Sequence, residues 1–155
     1  MAHIQDVAAY ILAKRSPMTA MKLEKLCYYS YGYHLAWEDR QLFPEHFEAW
    51  ANGPVAPALY ALHRGRFELR EGDIPGNPAA LDEQERESVD LVLDAYAQFS
   101  AHQLSLLTHR EAPWRNARQR AGATPMERSA EPLTDADIAE FFDTLATASA
   151  DAEEG

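Results

Sequence analysis

The chain has 155 residues and a formal net charge of −11, and 46% of its residues are hydrophobic. This length predicts one compact domain, and the apolar content excludes an intrinsically disordered chain. No apolar run approaches the ~20 residues of a membrane span, and the start of the chain lacks the order of a signal peptide. The single cysteine, Cys27, cannot form an intramolecular disulfide, which predicts a reducing, cytoplasmic location without membrane association.

The negative charge is distributed unevenly along the chain. Residues 1–80 carry eight Lys/Arg against nine Asp/Glu, whereas residues 81–155 carry six against sixteen. Such a field repels phosphate backbones, so direct binding of nucleic acid is not expected. The same field would attract and steer a basic protein partner, although acidic helices that only keep the domain soluble are the favoured interpretation.

Helical periodicity predicts two helices at the start of the chain. The first covers about 3–14 and stops at Ser16-Pro17. The second begins with Thr19 as its N-cap and runs to about residue 37. It is apolar around most of its circumference, which is typical of a central, buried helix. Gly32 in its middle indicates that another backbone packs closely against it.

The pattern then changes from strand to helix. Residues 41–43 and 47–50 are expected to pair as a small hairpin, which gives one β element near residues 41–51. Asn52-Gly53 is a turn signal, and Pro54 has a φ that suits the first turn of a third helix over about 54–64. Glycines and prolines predict a loop over 66–80.

Capping signals locate the remaining four helices. Asp82 with Glu85 three residues later resembles a capping box at the start of the fourth helix. Ser100 caps a fifth helix over about 101–109, and Pro113 opens a sixth over about 113–120. An irregular stretch follows until Thr134 begins the seventh.

These elements add up to a mainly α fold of about seven helices with one small hairpin. Residues 1–148 are predicted to form a single compact helical domain. Residues 149–155 are predicted to form an acidic, flexible C-terminal tail.

No enzyme activity, metal or cofactor is predicted. His102 and His109 lie two helical turns apart without a third ligand, and one cysteine cannot build a zinc cluster. Cys27 and His34 share a helix face, but their spacing of ~10 Å is too long for a hydrogen bond. His109 and Glu111 lack a nucleophile or a metal between them.

The stretch from Arg110 to Arg120 is the only basic island. It is predicted to lie at the end of the fifth helix and on the exposed face of the sixth. Ion pairing with the fourth or seventh helix is the favoured interpretation, and an anion or acidic-partner site is the alternative.

Tyrosine and tryptophan are more numerous than one small core is expected to bury with every O–H and N–H paired. These residue types are enriched where proteins bind each other. We therefore expect at least two of them, including an exposed Tyr29, to line a partner-binding surface. The candidate partner-binding residues are Tyr29, Tyr33, Trp50, Asn52, Pro54 and Tyr60.

Three segments carry a resemblance to a known family. They are Met18–Tyr29 with His34–Ala36; Phe47–Trp50 with Gly53–Val55 and Tyr60; and Leu104–His109 with Glu111, Pro113–Trp114 and Ala117–Arg118. In this order they resemble the Panacea-domain family, which includes SocA-like antitoxins and GepA-like phage-associated proteins. The resemblance covers about residues 4–142. Its structural motif positions here are Thr19, Lys22, Leu23, Leu26, Gly53, His109, Pro113 and Trp114.

The resemblance implies an antitoxin of a type II toxin–antitoxin module. Such a protein binds a toxin encoded by an adjacent gene and neutralises it through protein–protein contact. The alternatives that the resemblance leaves open are a proteolytic adaptor that delivers the toxin to the ClpXP protease, and a phage-associated accessory protein connected with prophages or phage defence. The resemblance implies no enzymatic activity.

Overall fold

A computed structural model describes the secondary structure of residues 1–154 and the side chains of residues 1–148. Four short strands form two antiparallel pairs, β1 (Met18–Thr19) with β4 (Glu68–Leu69) and β2 (Glu48–Trp50) with β3 (Gly53–Val55). The prediction of a mainly α fold is confirmed. The helices within the described range are α1 (Ile4–Arg15), α2 (Ala20–Glu38), α3 (Pro57–His63), α4 (Glu83–Tyr96), α5 (Ala101–His109), α6 (Ala112–Ala121) and α7 (Asp135–Glu154).

The flexible tail predicted over 149–155 remains a prediction, because its side chains lie outside the described residues. For the part of the chain that the structure describes, no helix combines the length and the apolar character needed to cross a bilayer.

Helix α2 is the central element of the domain, as its apolar circumference predicts. Thr19 is its N-cap, because the Thr19 hydroxyl accepts a hydrogen bond from the Lys22 N–H at 3.2 Å. Helices α1, α4, α5 and α7 all pack against α2. Leu23 and Leu26 on this helix are both fully buried. The core is therefore organised around one helix rather than between two layers.

Gly32 lies where α2 meets α7. The closest neighbour is the ring of Phe142 rather than a backbone, so the sequence prediction for Gly32 is corrected in that respect. A Cβ atom at residue 32 would overlap this ring. Phe142 is itself buried and stands edge-on to Tyr28, with ring centroids 5.6 Å apart. A glycine is required here because the aromatic ring occupies the volume of a side chain.

The tyrosines of α2 are buried, and carboxylates from other helices bind two of their hydroxyl groups. The Tyr29 hydroxyl donates to Glu111 Oε2 at 2.9 Å, and the Tyr31 hydroxyl donates to Asp135 Oδ1 at 2.7 Å. The expectation that the aromatic side chains exceed what one core can bury with every O–H and N–H paired is partly met, since the buried Tyr28 hydroxyl has no partner among the described residues and Trp37 is 41% exposed. Acidic residues at the starts of α6 and α7 supply the acceptors that an apolar core lacks.

The predicted hairpin is present, but its strands and its boundary with the third helix differ from the prediction. Strand β2 pairs with β3, not with residues 41–43, and α3 begins at Pro57 rather than at Pro54. Pro54 lies in β3 opposite Ala49. The N–H of Ala49 points away from β3, towards Glu131 O, so the β2–β3 ladder requires no N–H from Pro54.

The outer edge of β2 is covered by residues 131–133. Ala49 N–H donates to Glu131 O, and Leu133 N–H donates to Phe47 O, both at 2.9 Å. This segment belongs to the stretch predicted to be irregular, and β4 lies within the loop predicted over 66–80. Strands this short carry no periodicity that a sequence can reveal.

We predict that Gly32→Ala destabilises the protein, although the same change at an open helix position stabilises a helix by about 1 kcal/mol. Overpacking against Phe142 should lower the free energy of unfolding by roughly 2 kcal/mol, measured by urea denaturation. Combining Gly32→Ala with Phe142→Ala is the control, because removing the ring should abolish the penalty of the added methyl group. Equal effects of Gly32→Ala in both backgrounds would show that the ring does not determine this position.

Candidate functional site

The β2–β3 hairpin is fixed to α5 and α6 by side chains that donate to its backbone carbonyl groups. Trp114 Nε1–H donates to Trp50 O at 2.8 Å, and the Ser105 hydroxyl donates to Asn52 O at 2.6 Å. The backbone acceptors at the turn are therefore already occupied. This arrangement makes the hairpin a firm platform for the side chains that it presents.

A buried arginine also supports the hairpin. Arg118 donates to Ala49 O at 2.9 Å, and its guanidinium lies 5.2 Å from the Trp114 ring centroid. The prediction that the whole basic island lies exposed is therefore wrong for Arg118, which is only 6% exposed. Arg120 does form the predicted ion pair with the seventh helix, through Asp137 Oδ2 at 3.1 Å.

Three of the predicted partner-binding residues are buried in the domain. Tyr29 has no exposed surface, so the expectation that it is exposed is wrong. Tyr33 is also buried, and its hydroxyl is 2.8 Å from the hydroxyl of Tyr96. Pro54 is buried within β3. These side chains have structural roles in the free protein and do not form its surface.

The other three predicted residues lie together at the surface. Asn52 is exposed at the turn, while Trp50 and Tyr60 are half-buried and pack edge to face with ring centroids 4.9 Å apart. Leu106, which is 47% exposed, follows the Ser105 that binds the turn. We refer to Trp50, Asn52, Tyr60, Leu106 and the half-buried Trp114 as the hairpin surface.

The predicted motif positions make structural contacts within the domain. The Lys22 ammonium donates to the carbonyl oxygen of Ala97, at the end of α4. Pro113 is buried in the first turn of α6. The His109 ring stacks on Trp114 with centroids 4.2 Å apart. His109 and Trp114 thus form one packed unit between α5 and α6.

A buried hydrogen-bonded pair joins α2 to the segment that follows β3. Glu24 Oε1 accepts from Ala56 N–H at 2.9 Å, and Glu24 Oε2 lies 2.8 Å from His63 Nε2. Burial raises the pKa of the Glu24 carboxyl, and its hydrogen bonds to His63 and Ala56 oppose that rise. This interaction positions α3 and the end of the hairpin against the core.

Lys25 lies beside this pair and is 1% exposed. Its ammonium group has no hydrogen-bond partner among the described residues, and burial lowers its pKa to about 8. A Cβ atom at Gly53 would lie 2.8 Å from Thr108 Oγ1 and 3.5 Å from Lys25 Nζ. Gly53 also has a φ of +117°, so both its backbone and its surroundings require glycine.

Glu111, the N-cap of α6, is a further buried ionisable group. Burial raises the pKa of its carboxyl to about 8, and the hydrogen bond from Tyr29 opposes that rise. Glu111 Oε1 has no partner among the residues that the structure describes. Burial also lowers the pKa of His109, whose ring stacks on Trp114.

These buried ionisable groups are absent from the sequence predictions, although the charged pair Glu24-Lys25 within the most apolar helix is a signal for them. A charged pair on a helix that is buried on all sides must be paired or neutralised inside the protein. Across the described side chains, no group of three His, Cys, Asp or Glu is placed to hold a metal ion.

We predict that Glu111→Gln alters the pH dependence of stability. The folded protein keeps the Glu111 proton up to about pH 8, whereas the unfolded chain releases it near pH 4.5, so wild-type stability falls across this range. The unfolding free energy of the variant, relative to the wild type, should therefore rise by on the order of 4 kcal/mol between pH 4.5 and pH 8.

Urea denaturation at half-unit pH steps measures this difference. Glu87→Gln neutralises an exposed carboxylate on α4 and is the matched control, which should change little over the same range. A difference for Glu111→Gln that stays constant with pH would contradict the raised pKa.

Comparison with known families assigns most of these elements to one domain. The model for the SocA-like antitoxin with a Panacea domain matches residues 23–115, which is more than half of the chain. The match includes the β2–β3 hairpin, the buried ionisable residues Glu24, Lys25 and Glu111, and all five residues of the hairpin surface. Searches of curated proteins and of solved structures find no match. The chain therefore belongs to the SocA-like antitoxin family defined by the Panacea domain.

Proposed function

We propose that this protein is the antitoxin of a type II toxin–antitoxin module and neutralises a cognate toxin by direct protein–protein binding. Membership of the SocA-like antitoxin family over residues 23–115 is the observation that carries the proposal. The toxin is proposed to be the product of an adjacent gene, and both proteins are proposed to act in the cytoplasm. The role is binding rather than catalysis.

The hairpin surface is the proposed contact site for the toxin. Its tryptophans and tyrosine belong to the residue types that supply most of the energy at protein interfaces. Asn52 at the turn and Leu106, next to Ser105 on α5, add an exposed polar side chain and an exposed apolar one. The mixture of aromatic, apolar and amide groups within one small area suits a protein surface better than a single small ligand.

The support beneath the hairpin reduces the cost of binding. Trp114 and Ser105 already bind the carbonyl groups of the turn, and Arg118 binds the carbonyl of Ala49. A partner therefore meets side chains whose backbone is already ordered, and little conformational entropy remains to be lost. Affinity then depends on the exposed side chains.

The charge of the chain favours a basic toxin. The excess of carboxylates lies in residues 81–155, and the first two turns of α7 alone carry Asp135, Asp137 and Glu140. Such a field accelerates encounter with a positively charged partner, and salt screens it. The association rate of the purified pair should therefore fall as the salt concentration rises.

Co-expression with each flanking open reading frame tests the proposal. One neighbour should stop growth when expressed alone, be tolerated together with this protein, and copurify with it. Rescue that requires ClpXP and leaves no stable complex would favour the proteolytic adaptor instead. If neither neighbour is toxic, the antitoxin proposal fails and the phage-associated accessory role becomes the better explanation.

We predict that Leu106→Glu abolishes neutralisation while leaving the protein folded. A carboxylate in a desolvated apolar contact should weaken toxin binding at least tenfold, measured by titration calorimetry alongside the growth assay. Leu91→Glu is the matched control, because Leu91 is 49% exposed and Leu106 is 47% exposed. Leu91 lies on α4 rather than beside the hairpin.

The two variants distinguish the location of the contact site from the antitoxin role itself. Retained binding by Leu106→Glu with loss in Leu91→Glu would move the contact site to α4 and leave the antitoxin role intact. Circular dichroism and urea denaturation of both variants establish that each is folded.

A further inference from the structure

A single buried carboxylate binds both ends of α3. Glu24 Oε1 accepts from the N–H of Ala56, which immediately precedes the helix, and Glu24 Oε2 lies 2.8 Å from Nε2 of His63, the last residue of the helix. Glu24 has no exposed surface, and His63 is only 2% exposed. We refer to the contacts of Glu24 with Ala56 and His63 as the Glu24 clamp.

Helix α3 depends on such contacts because its own sequence supports it weakly. It has seven residues, whereas isolated helices shorter than about 12–15 residues are marginal in water. Its N-cap, Ala56, carries a methyl group that cannot accept a hydrogen bond from the first turn. Leu59 is its fully buried apolar side chain. The position of α3 is therefore set by tertiary contacts, among which the Glu24 clamp acts at both ends.

Ring contacts lead from the Glu24 clamp to the hairpin surface. The His63 and Tyr60 rings pack edge to face with centroids 5.3 Å apart, and Tyr60 packs in the same way against Trp50 at 4.9 Å. Trp50 is held separately, because Trp114 donates to its carbonyl oxygen and its own Nε1–H donates to Glu48 Oε1. The placement of Tyr60 against Trp50 therefore depends on where α3 is held.

We propose that Glu24 is a positioning residue for the hairpin surface. By binding both ends of α3, it sets the distance and the angle between the rings of Tyr60 and Trp50. The inference deepens the proposed function and rests on it, since the hairpin surface is the proposed contact site for the toxin. Glu24 is fully buried and does not touch a partner, so it acts on toxin affinity through α3 alone.

Glu24→Met and Glu24→Gln test the proposal. Methionine is similar in length but is only a weak acceptor, so it leaves the Ala56 N–H and His63 without their partner. Glutamine keeps both contacts, because its oxygen can accept from the Ala56 N–H and its nitrogen can donate to an unprotonated His63 Nε2. Toxin affinity, measured by titration calorimetry, should fall at least tenfold in Glu24→Met and stay within about twofold of the wild type in Glu24→Gln.

NMR of the free full-length protein supplies a readout that a general loss of stability does not move. The Tyr60 ring lies against the Trp50 indole, so it shifts the indole resonances of Trp50. In Glu24→Met these resonances should move towards the values of a solvent-exposed tryptophan. Trp114 stacks on His109, between α5 and α6, and its resonances should change little in the same spectrum.

Ser88→Ala is the matched control variant. Ser88 is 2% exposed and its hydroxyl lies 2.8 Å from Nδ1 of His34, so this change also removes a buried hydrogen bond of α2, but one that faces α4. It should leave the Trp50 resonances and the toxin affinity unchanged. If Glu24→Met fails to fold, His63→Phe decides the question, because phenylalanine keeps a ring beside Tyr60 but cannot bind Glu24. His63→Phe should displace the Trp50 resonances and weaken toxin binding about threefold.

Unchanged Trp50 resonances in the folded variant would overturn the proposal, as would an equal displacement in Ser88→Ala. Displaced resonances with wild-type toxin affinity would overturn it too, because the surface would then not need Tyr60 to be held. Equal losses of affinity in Glu24→Met and Glu24→Gln would do the same, since glutamine keeps both hydrogen bonds.

The resonance measurement contains no toxin, so failure of this inference and failure of the antitoxin proposal are distinguishable. A toxin found by co-expression, together with unchanged Trp50 resonances, would defeat the positioning role and leave the antitoxin role intact. Displaced resonances with no toxic neighbour would support the Glu24 clamp and defeat the antitoxin role.

Discussion

Burial of most of α2 is the constraint on which the rest of the structure depends. A polar group on a buried helix that finds no internal partner costs the full penalty of desolvation. Several hydroxyl, carboxylate and imidazole groups of α2 find partners on different elements, whereas Lys25 Nζ and the Tyr28 and Ser30 hydroxyls have none among the described residues. Tyr29 binds the start of α6, Tyr31 the start of α7, His34 the Ser88 of α4, and Glu24 the segment around α3. One helix thereby sets the positions of four others.

This dependence explains what the sequence could and could not predict. The helices were predictable because they have local signals, such as the N-cap at Thr19 and the capping box at Asp82. The pairing of β2 with β3 was not, since a three-residue strand has no periodicity and Pro54 is a common helix-opening residue. The acceptors for the tyrosine hydroxyls were also hidden, because Glu111 and Asp135 lie 82 and 104 residues away from their partners.

The candidate site shows the same division between local and long-range information. Trp50, Asn52 and Tyr60 could be selected from composition and turn chemistry, whereas Tyr29 and Tyr33 could not be distinguished from them without knowing which face of α2 meets another helix. Glu24, Lys25 and Glu111 are buried ionisable residues of this domain, and the Lys25 side chain lies close to Gly53 of the hairpin. Burial disfavours the charged form of each group, so it lowers the pKa of Lys25 and raises the pKa of Glu111. The interior is therefore sensitive to pH in a range where surface carboxylates do not titrate.

The cover formed by residues 131–133 over β2 has a consequence for how partners can be recognised. Many binding domains capture a partner by adding its backbone as an extra strand, which reads shape more than sequence. Here the outward groups of β2 at Phe47 and Ala49 already bond to the domain's own chain. Residues 131–133 therefore block the addition of a partner strand along this edge. Under the proposed function, recognition at the hairpin would rely on side chains, so a few substitutions at exposed positions could redirect the protein to a different partner without disturbing the scaffold.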